Sequence, residues 1–213
     1  MGTQPHPEPA ARTEERRRGP STLAVSLFMI AALLASSVAS DPTTVLPRDT
    51  TILVERHPDR AAGIEIPMPV GWQSTGTPAF GSTELEPTPG ESAYRATILA
   101  GRLGPDVPAS AITDDRGAAT ALAETIEEYV LHISGTRDEQ RDVEVHNGVG
   151  AGHATSFVVS PNGGDTGGGL VYVAVFGDGA DRAWLAYITE TPSDAPEPRW
   201  MDRVVHDVVP YEG

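Results

Sequence analysis

The clearest periodic signal lies between Asp114 and Gly135. Ala119, Leu122, Ala123, Ile126, Tyr129, Val130 and Ile133 recur at three- and four-residue steps, the spacing that places side chains on one stripe of an α-helix. Glu124, Glu127 and Glu128 fall on the other side. Asp114 and Asp115 offer amino-terminal caps, and Gly135 stands where a residue past the C-cap would close the helix. The pattern predicts an amphipathic helix buried along its stripe as far as Ile133.

Elsewhere the period is two. Ile64, Ile66 and Met68 alternate with Glu65 and Pro67 and stop at Pro69-Val70-Gly71-Trp72. This predicts a half-buried strand, and Pro67, which has no backbone N–H to donate, places it at an edge. A short strand is expected near Thr83–Glu86 and a better one over Tyr94–Leu103, with Tyr94, Ala96, Ile98 and Ala100 on one face. Past the helix, Val143 and Val145 alternate with polar residues. Asn147-Gly148 is the pair a two-residue primed turn needs, with Val149–Val159 returning as partner strand. Leu170–Phe176 and Arg182–Thr189, joined by Gly177-Asp178-Gly179-Ala180-Asp181, predict a central hairpin. Trp200, Val204, Val205 and Val208 predict a short closing helix before Pro210. Strands, one helix, four strands and a helix, joined by short turns, predict an α+β fold: an antiparallel β-sheet packed by one long and one short helix.

The amino-terminal stretch has a different character. Arg16, Arg17 and Arg18 precede thirteen residues, Leu23–Ala35, of which only Ser26 is polar; Ser36 to Ser40 are mostly small, and Asp41-Pro42 follow. That is the layout of a secretory signal with a cut after Ser40. The competing reading is an uncleaved anchor spanning residues 22–39. Both put the remainder outside the cytoplasm, because the arginines stay inside. The expected organisation is therefore 1–40 signal peptide or membrane anchor, 41–62 a Thr/Pro-containing tether with one short strand near Ile52–Val54, and 63–213 an exported domain.

Charge narrows the function further. All fifteen basic residues are Arg, against 30 Asp and Glu, for a net charge of −15; beyond residue 40 the balance is 11 against 27. So acidic a chain lacks the basic footprint that nucleic acid requires, and repulsion keeps it off anionic lipid. With no Cys, disulfides, thiolate metal sites and cysteine nucleophiles are excluded.

Candidate chemistry is sparse. His146 and His153 flank the expected hairpin, but zinc would need a third ligand from an acidic residue, and the simpler reading is two strand histidines facing solvent. Gly163–Gly169 lacks the Lys followed by Ser/Thr of a phosphate cradle. No Gly-x-Ser-x-Gly elbow occurs. Asp178 and Asp181 read as turn residues rather than calcium ligands. Trp72, Trp184 and Trp200 read as core residues or as interaction hot spots. Neither a cofactor nor a resident metal is expected.

Four motifs in register carry a resemblance. Gly63-Ile64-Glu65-Ile66-Pro67-Met68-Pro69-Val70-Gly71-Trp72, Ile98-Leu99-Ala100-Gly101-Arg102-Leu103, Glu128-Tyr129 with Gly135-Thr136-Arg137, and Asn147-Gly148-Val149 are similar, over about Gly63 to Pro210, to the fibronectin-attachment (APA-type, alanine- and proline-rich) secreted proteins of mycolic-acid-walled bacteria. The outline also resembles a lipoprotein relative with a PsbP/Mog1-like fold, although the Cys such lipoproteins need is missing. The resemblance implies a secreted or envelope binding protein, non-enzymatic, with fibronectin or another extracellular or envelope protein as partner and an adhesin role. It implies glycosylation of Thr residues in the tether, here Thr43, Thr44, Thr50 and Thr51. The family's adhesive segment begins Arg-Trp-Phe-Val; the matching place reads Arg182-Ala183-Trp184-Leu185 and keeps only Arg182 in position. Arg182 and Trp184 are accordingly the expected partner-binding residues, on a strand that meets a partner if helices cover only one side of the sheet. The rival readings are a small-molecule or lipid carrier, with a pocket beneath the Ala119–Ala123 helix face, and an accessory subunit docking an envelope complex.

Overall fold

The computed structural model describes residues 55–213 apart from 77, 79, 91–93, 134, 163–167 and 191–194. The signal or anchor, Thr43, Thr44, Thr50, Thr51, the Ile52–Val54 strand and most of the Gly163–Gly169 loop lie outside the described residues. In chain order the elements are β1 (Glu55–Asp59), β2 (Ile64–Met68), β3 (Trp72–Ser74), β4 (Thr83–Pro87), β5 (Ala96–Arg102), α1 (Asp115–Ile126), a π-helical turn (Glu127–Leu131), β6 (Gly135–His146), β7 (Ala151–Pro161), β8 (Gly169–Phe176), β9 (Ala183–Thr189), α2 (Pro198–His206) and β10 (Val209–Pro210). The architecture is α+β, and every strand pairing is antiparallel.

Two sheets form rather than one. Seven strands run in the order β3-β4-β5-β9-β8-β7-β6, and three in the order β1-β2-β10. The expected hairpin β8–β9 sits at the centre of the large sheet, with Tyr172 opposite Tyr187 and Val175 opposite Trp184. Side chains alternate along β9 as the pattern requires. Ala183, Leu185 and Tyr187 enter one core with Ile64 and Ile66 of β2 and Met201, Val204 and Val205 of α2. Trp184, Ala186 and Ile188 enter a second core with Leu122, Ala123 and Ile126 of α1. The large sheet is therefore covered on both faces, not on one. A strand packed on both sides reads as a continuous apolar run, which is why β8 and β9 are buried throughout.

Part of the stretch read as a tether belongs to this body. β1 pairs with β2 from Glu55 opposite Met68 to Asp59 opposite Ile64, and Asp59 is buried, accepting from the Ala62 N–H and the Ser82 hydroxyl. β2 is accordingly the middle strand of its sheet rather than an edge. Pro67 is accommodated because β10 reaches only Glu65 and Ile64, so at Pro67 only β1 runs alongside.

The β6–β7 connection also departs from expectation. His146 faces Ala151, so the turn contains four residues. The Asn147 side chain holds it, accepting from the Val149 and Gly150 N–H groups. Gly148 sits at a close approach of two backbones instead of in a primed turn. Its N–H donates to the Val208 carbonyl, and a Cβ there would lie 3.1 Å from that oxygen.

Candidate partner-binding surface

Trp184 and Arg182 are both interior. Trp184 is fully buried against the Phe80 ring, 5.2 Å between centroids, and its indole N–H donates to the Arg102 carbonyl at 3.3 Å. Gly101 makes room for it, since a Cβ there would stand 3.0 Å from the indole ring. Arg182 retains 8% exposure. Its guanidinium donates to the Ser110 and Ile112 carbonyls and reaches Asp115 at 3.4 Å, tying β9 to the segment that leads into α1. In this fold neither side chain presents a surface, because α1 covers the face of β9 that carries them.

What the fold does present is the far end of α1. Asp114 caps the helix as expected, accepting from the Gly117 N–H. Ala119, Leu122, Ala123 and Ile126 are buried along the predicted stripe. After Ile126 the stripe breaks. An α-helix would return Tyr129 and Val130 to the sheet, but a π-helical turn inserts one extra residue, so the next buried position is Leu131, five beyond Ile126. Leu131 packs over Gly169, where a Cβ would meet its side chain at 2.4 Å. Tyr129 is left 65% exposed and Val130 37% exposed. His132, at φ 53, closes the turn; its N–H donates to the Glu127 carbonyl. Gly135 does not close the helix, because it already belongs to β6, where a Cβ would fall 2.0 Å from the Ser160 carbonyl oxygen.

The turn is anchored. Arg137 of β6 donates to Glu127 at 2.7 Å and to Glu124 at 2.8 Å, and its guanidinium lies 4.9 Å from the Phe157 ring centroid. Burial pulls the Arg137 pKa down, but the hydrogen bonds from both glutamates outweigh it and leave it raised. The exposed pair Tyr129–Val130 thus stands on a turn braced by β6 through Arg137. The sequence signal for this surface was the apolar stripe itself, which periodicity assigns to the core.

Other polar clusters hold the fold together. Arg141 donates to both oxygens of Asp202, at 2.6 and 3.2 Å, and the Tyr172 hydroxyl donates to the same carboxylate at 3.2 Å. The hydrogen bond to Asp202 raises the Arg141 pKa. Burial, aided by Asp202, pushes the Tyr172 hydroxyl well up. His153 is not a solvent-facing histidine: its Nε2 is buried 3.9 Å from Asp142, whose other oxygen accepts from Arg116 at 3.3 Å. His146 is exposed. Among the described residues no group of three or more His, Asp or Glu is arranged to hold a metal ion. Asp181 pairs with Arg102, as a turn residue would. No helix among the described residues is long and apolar enough to cross a membrane.

Comparison with known proteins agrees with the motifs. The family model described as the fibronectin-attachment protein (FAP) domain matches residues 54–213. A search of the curated proteins gives no match. Among solved structures, the chain is similar to cyanobacterial PsbP (CyanoP) from Synechocystis sp. PCC 6803, with a TM-score of 0.42 at 14% identity, covering 74% of this chain and 92% of that one. It is also similar to LpqN, involved in cell envelope biogenesis of Mycobacterium tuberculosis, with a TM-score of 0.40 at 14% identity, covering 69% and 83% respectively.

Proposed function

The chain belongs to the fibronectin-attachment protein (FAP) family, and on that premise we propose that it is a non-enzymatic binding protein. It works outside the cytoplasm, secreted or at the cell envelope, as an adhesin for fibronectin. Its partner surface is the π-helical end of α1 together with the adjoining start of β6. The observation that carries this reading is the exposure of two adjacent apolar side chains, Tyr129 and Val130, on a turn braced by Arg137. A lone exposed apolar residue needs no explanation. Here a π-helical insertion and a left-handed His132 turn a pair outward that the stripe would otherwise bury, and such departures from regular helix concentrate at functional sites. Tyrosine is also a side chain that dominates interface energetics, being large and amphipathic.

The test is surface-plasmon binding of the full chain to immobilised plasma fibronectin. Wild-type protein binds; Tyr129→Ala binds about 30-fold more weakly, a loss of about 2 kcal/mol. Its thermal stability stays within about 0.5 kcal/mol of wild type, as for an ordinary surface change. Absence of wild-type binding refutes fibronectin as partner, and unchanged binding by Tyr129→Ala refutes the surface.

A further inference from the structure

We propose that β6 is an acceptor edge, along which an extended, Lys- or Arg-bearing segment of the partner protein adds as an eighth strand. This rests on the reading of the α1 end as the partner surface and names how the partner engages it. The large sheet ends at β6 on one side and at β3 on the other. β3 has three residues, whereas β6 has twelve. An edge strand of that length carries a row of outward backbone donors and acceptors, a template for main-chain pairing. β6 also follows the turn that carries Tyr129 and Val130, and Arg137 on the strand ties it to Glu124 and Glu127 of the same helix end.

Charge selects the occupant. Both arginines of β6 are engaged, Arg137 by the two glutamates and Arg141 by Asp202. Asp138, Glu139 and Glu144 are exposed and enter no ion pair among the described residues. A basic strand lying alongside meets opposite charges across the pair, which stabilises it; a second copy of this acidic edge meets like charges, which destabilises it. The irregularity between Asp138 and Arg141, where Glu139 adopts φ 54, adds to the selection. It bends the edge away from flat self-association and leaves two straight runs, Gly135–Asp138 and Arg141–His146. The far end of the second run is occupied, since His206 Nδ1 lies 3.0 Å from the His146 carbonyl oxygen. The added strand therefore pairs with Gly135–Asp138 and with the second run as far as Glu144, bulging at Glu139 between them.

The experiment uses the full chain, labelled with nitrogen-15, and a synthetic ten-residue peptide of alternating Lys and Val. The peptide binds saturably by fluorescence anisotropy, and exchange of the outward amides within Thr136–Glu144, those not donating to β7, slows at least tenfold. Methylating alternate backbone nitrogens of the peptide, which keeps its charge but removes ladder donors, weakens binding at least tenfold. So does the triple change Asp138→Asn, Glu139→Gln, Glu144→Gln, whose unaltered melting shows that it folds. Equal binding by the methylated peptide overturns the inference in favour of charge alone, and protection mapping elsewhere, or no saturable binding, overturns it outright. A dimer by sedimentation, or outward β6 amides (those not donating to β7) already slow before peptide is added, also overturns it, naming a second copy or the chain's own amino-terminal arginines as occupant. The two readings fail separately. Intact, Tyr129-dependent fibronectin binding with unprotected β6 amides removes only the strand addition; protected amides without fibronectin binding remove only fibronectin.

Discussion

Replacing Trp184 by Ala should act on the core, not on a binding site. Complete burial of an indole removes roughly 150–250 Å² from water. At about 25 cal/mol per Å² that is about 4–6 kcal/mol for the whole side chain. Alanine keeps some of this and the neighbours relax partway, so we expect a loss of about 3–5 kcal/mol. The void would open between Phe80, Gly81 and Gly101, and the Arg102 carbonyl would lose its indole donor. In a domain of this size a loss of about 4 kcal/mol lowers the melting temperature by roughly 8–16 °C. Urea unfolding should give the same loss with little change in slope. A second substitution sharpens the test. Gly101→Ala places a Cβ at 3.0–3.1 Å from three indole atoms, so alone it should cost about 1–3 kcal/mol by overpacking. In the Trp184→Ala background the obstructing ring is gone, and Gly101→Ala should cost far less than alone. Strictly additive costs, or a Trp184→Ala loss under about 1 kcal/mol, would refute the packing described here. So would lost fibronectin binding in a Trp184→Ala protein of unchanged stability, which would return the partner site to β9.

Arg182→Met should destabilise by about 2–3 kcal/mol, since it strands the Ser110 and Ile112 carbonyls and the Asp115 carboxylate; faster amide exchange at the start of α1 would locate the damage. Alkali should unfold the protein in a defined way. Burial raises the hydroxyls of Tyr172 and Tyr187 above their ordinary value of 10.0, so stability is full below pH 10 and is lost as pH rises further, by about 1.4 kcal/mol per pH unit for each tyrosine. Urea midpoints measured from pH 9 to 11.5 should fall with a slope that Tyr187→Phe reduces by about half. For the amino-terminal segment we propose cleavage and modification: sequencing of exported protein should begin at Asp41, and intact mass should exceed the bare 41–213 chain by sugar on Thr43, Thr44, Thr50 or Thr51.

Local pattern and chemistry alone were not enough for β1, β3 and β10 or the second sheet, but were enough for the order of the longer strands and both helices, the α+β class, the central β8–β9 hairpin and the Asp114 cap. Each depends on neighbours in sequence: alternation for strands, a three-to-four step for α1, a side-chain oxygen ahead of free N–H groups. The FAP family was also legible, because its motifs are short and keep their order. Acidity and the missing Cys set what functions to expect before any contact was known. Tertiary structure alone decided what lies against each face. Alternation separates the two sides of β9 but cannot say that β1-β2-β10 and α2 cover one while α1 covers the other, so Trp184 beside Arg182 read as an interface pair. The same limit applies at the end of α1. Tyr129 and Val130 satisfy the helical period as well as Ile126 does. Whether the period continues depends on a contact distant in sequence, Leu131 seating over the bare backbone of Gly169, which draws one extra residue into the turn and leaves Tyr129 and Val130 facing water.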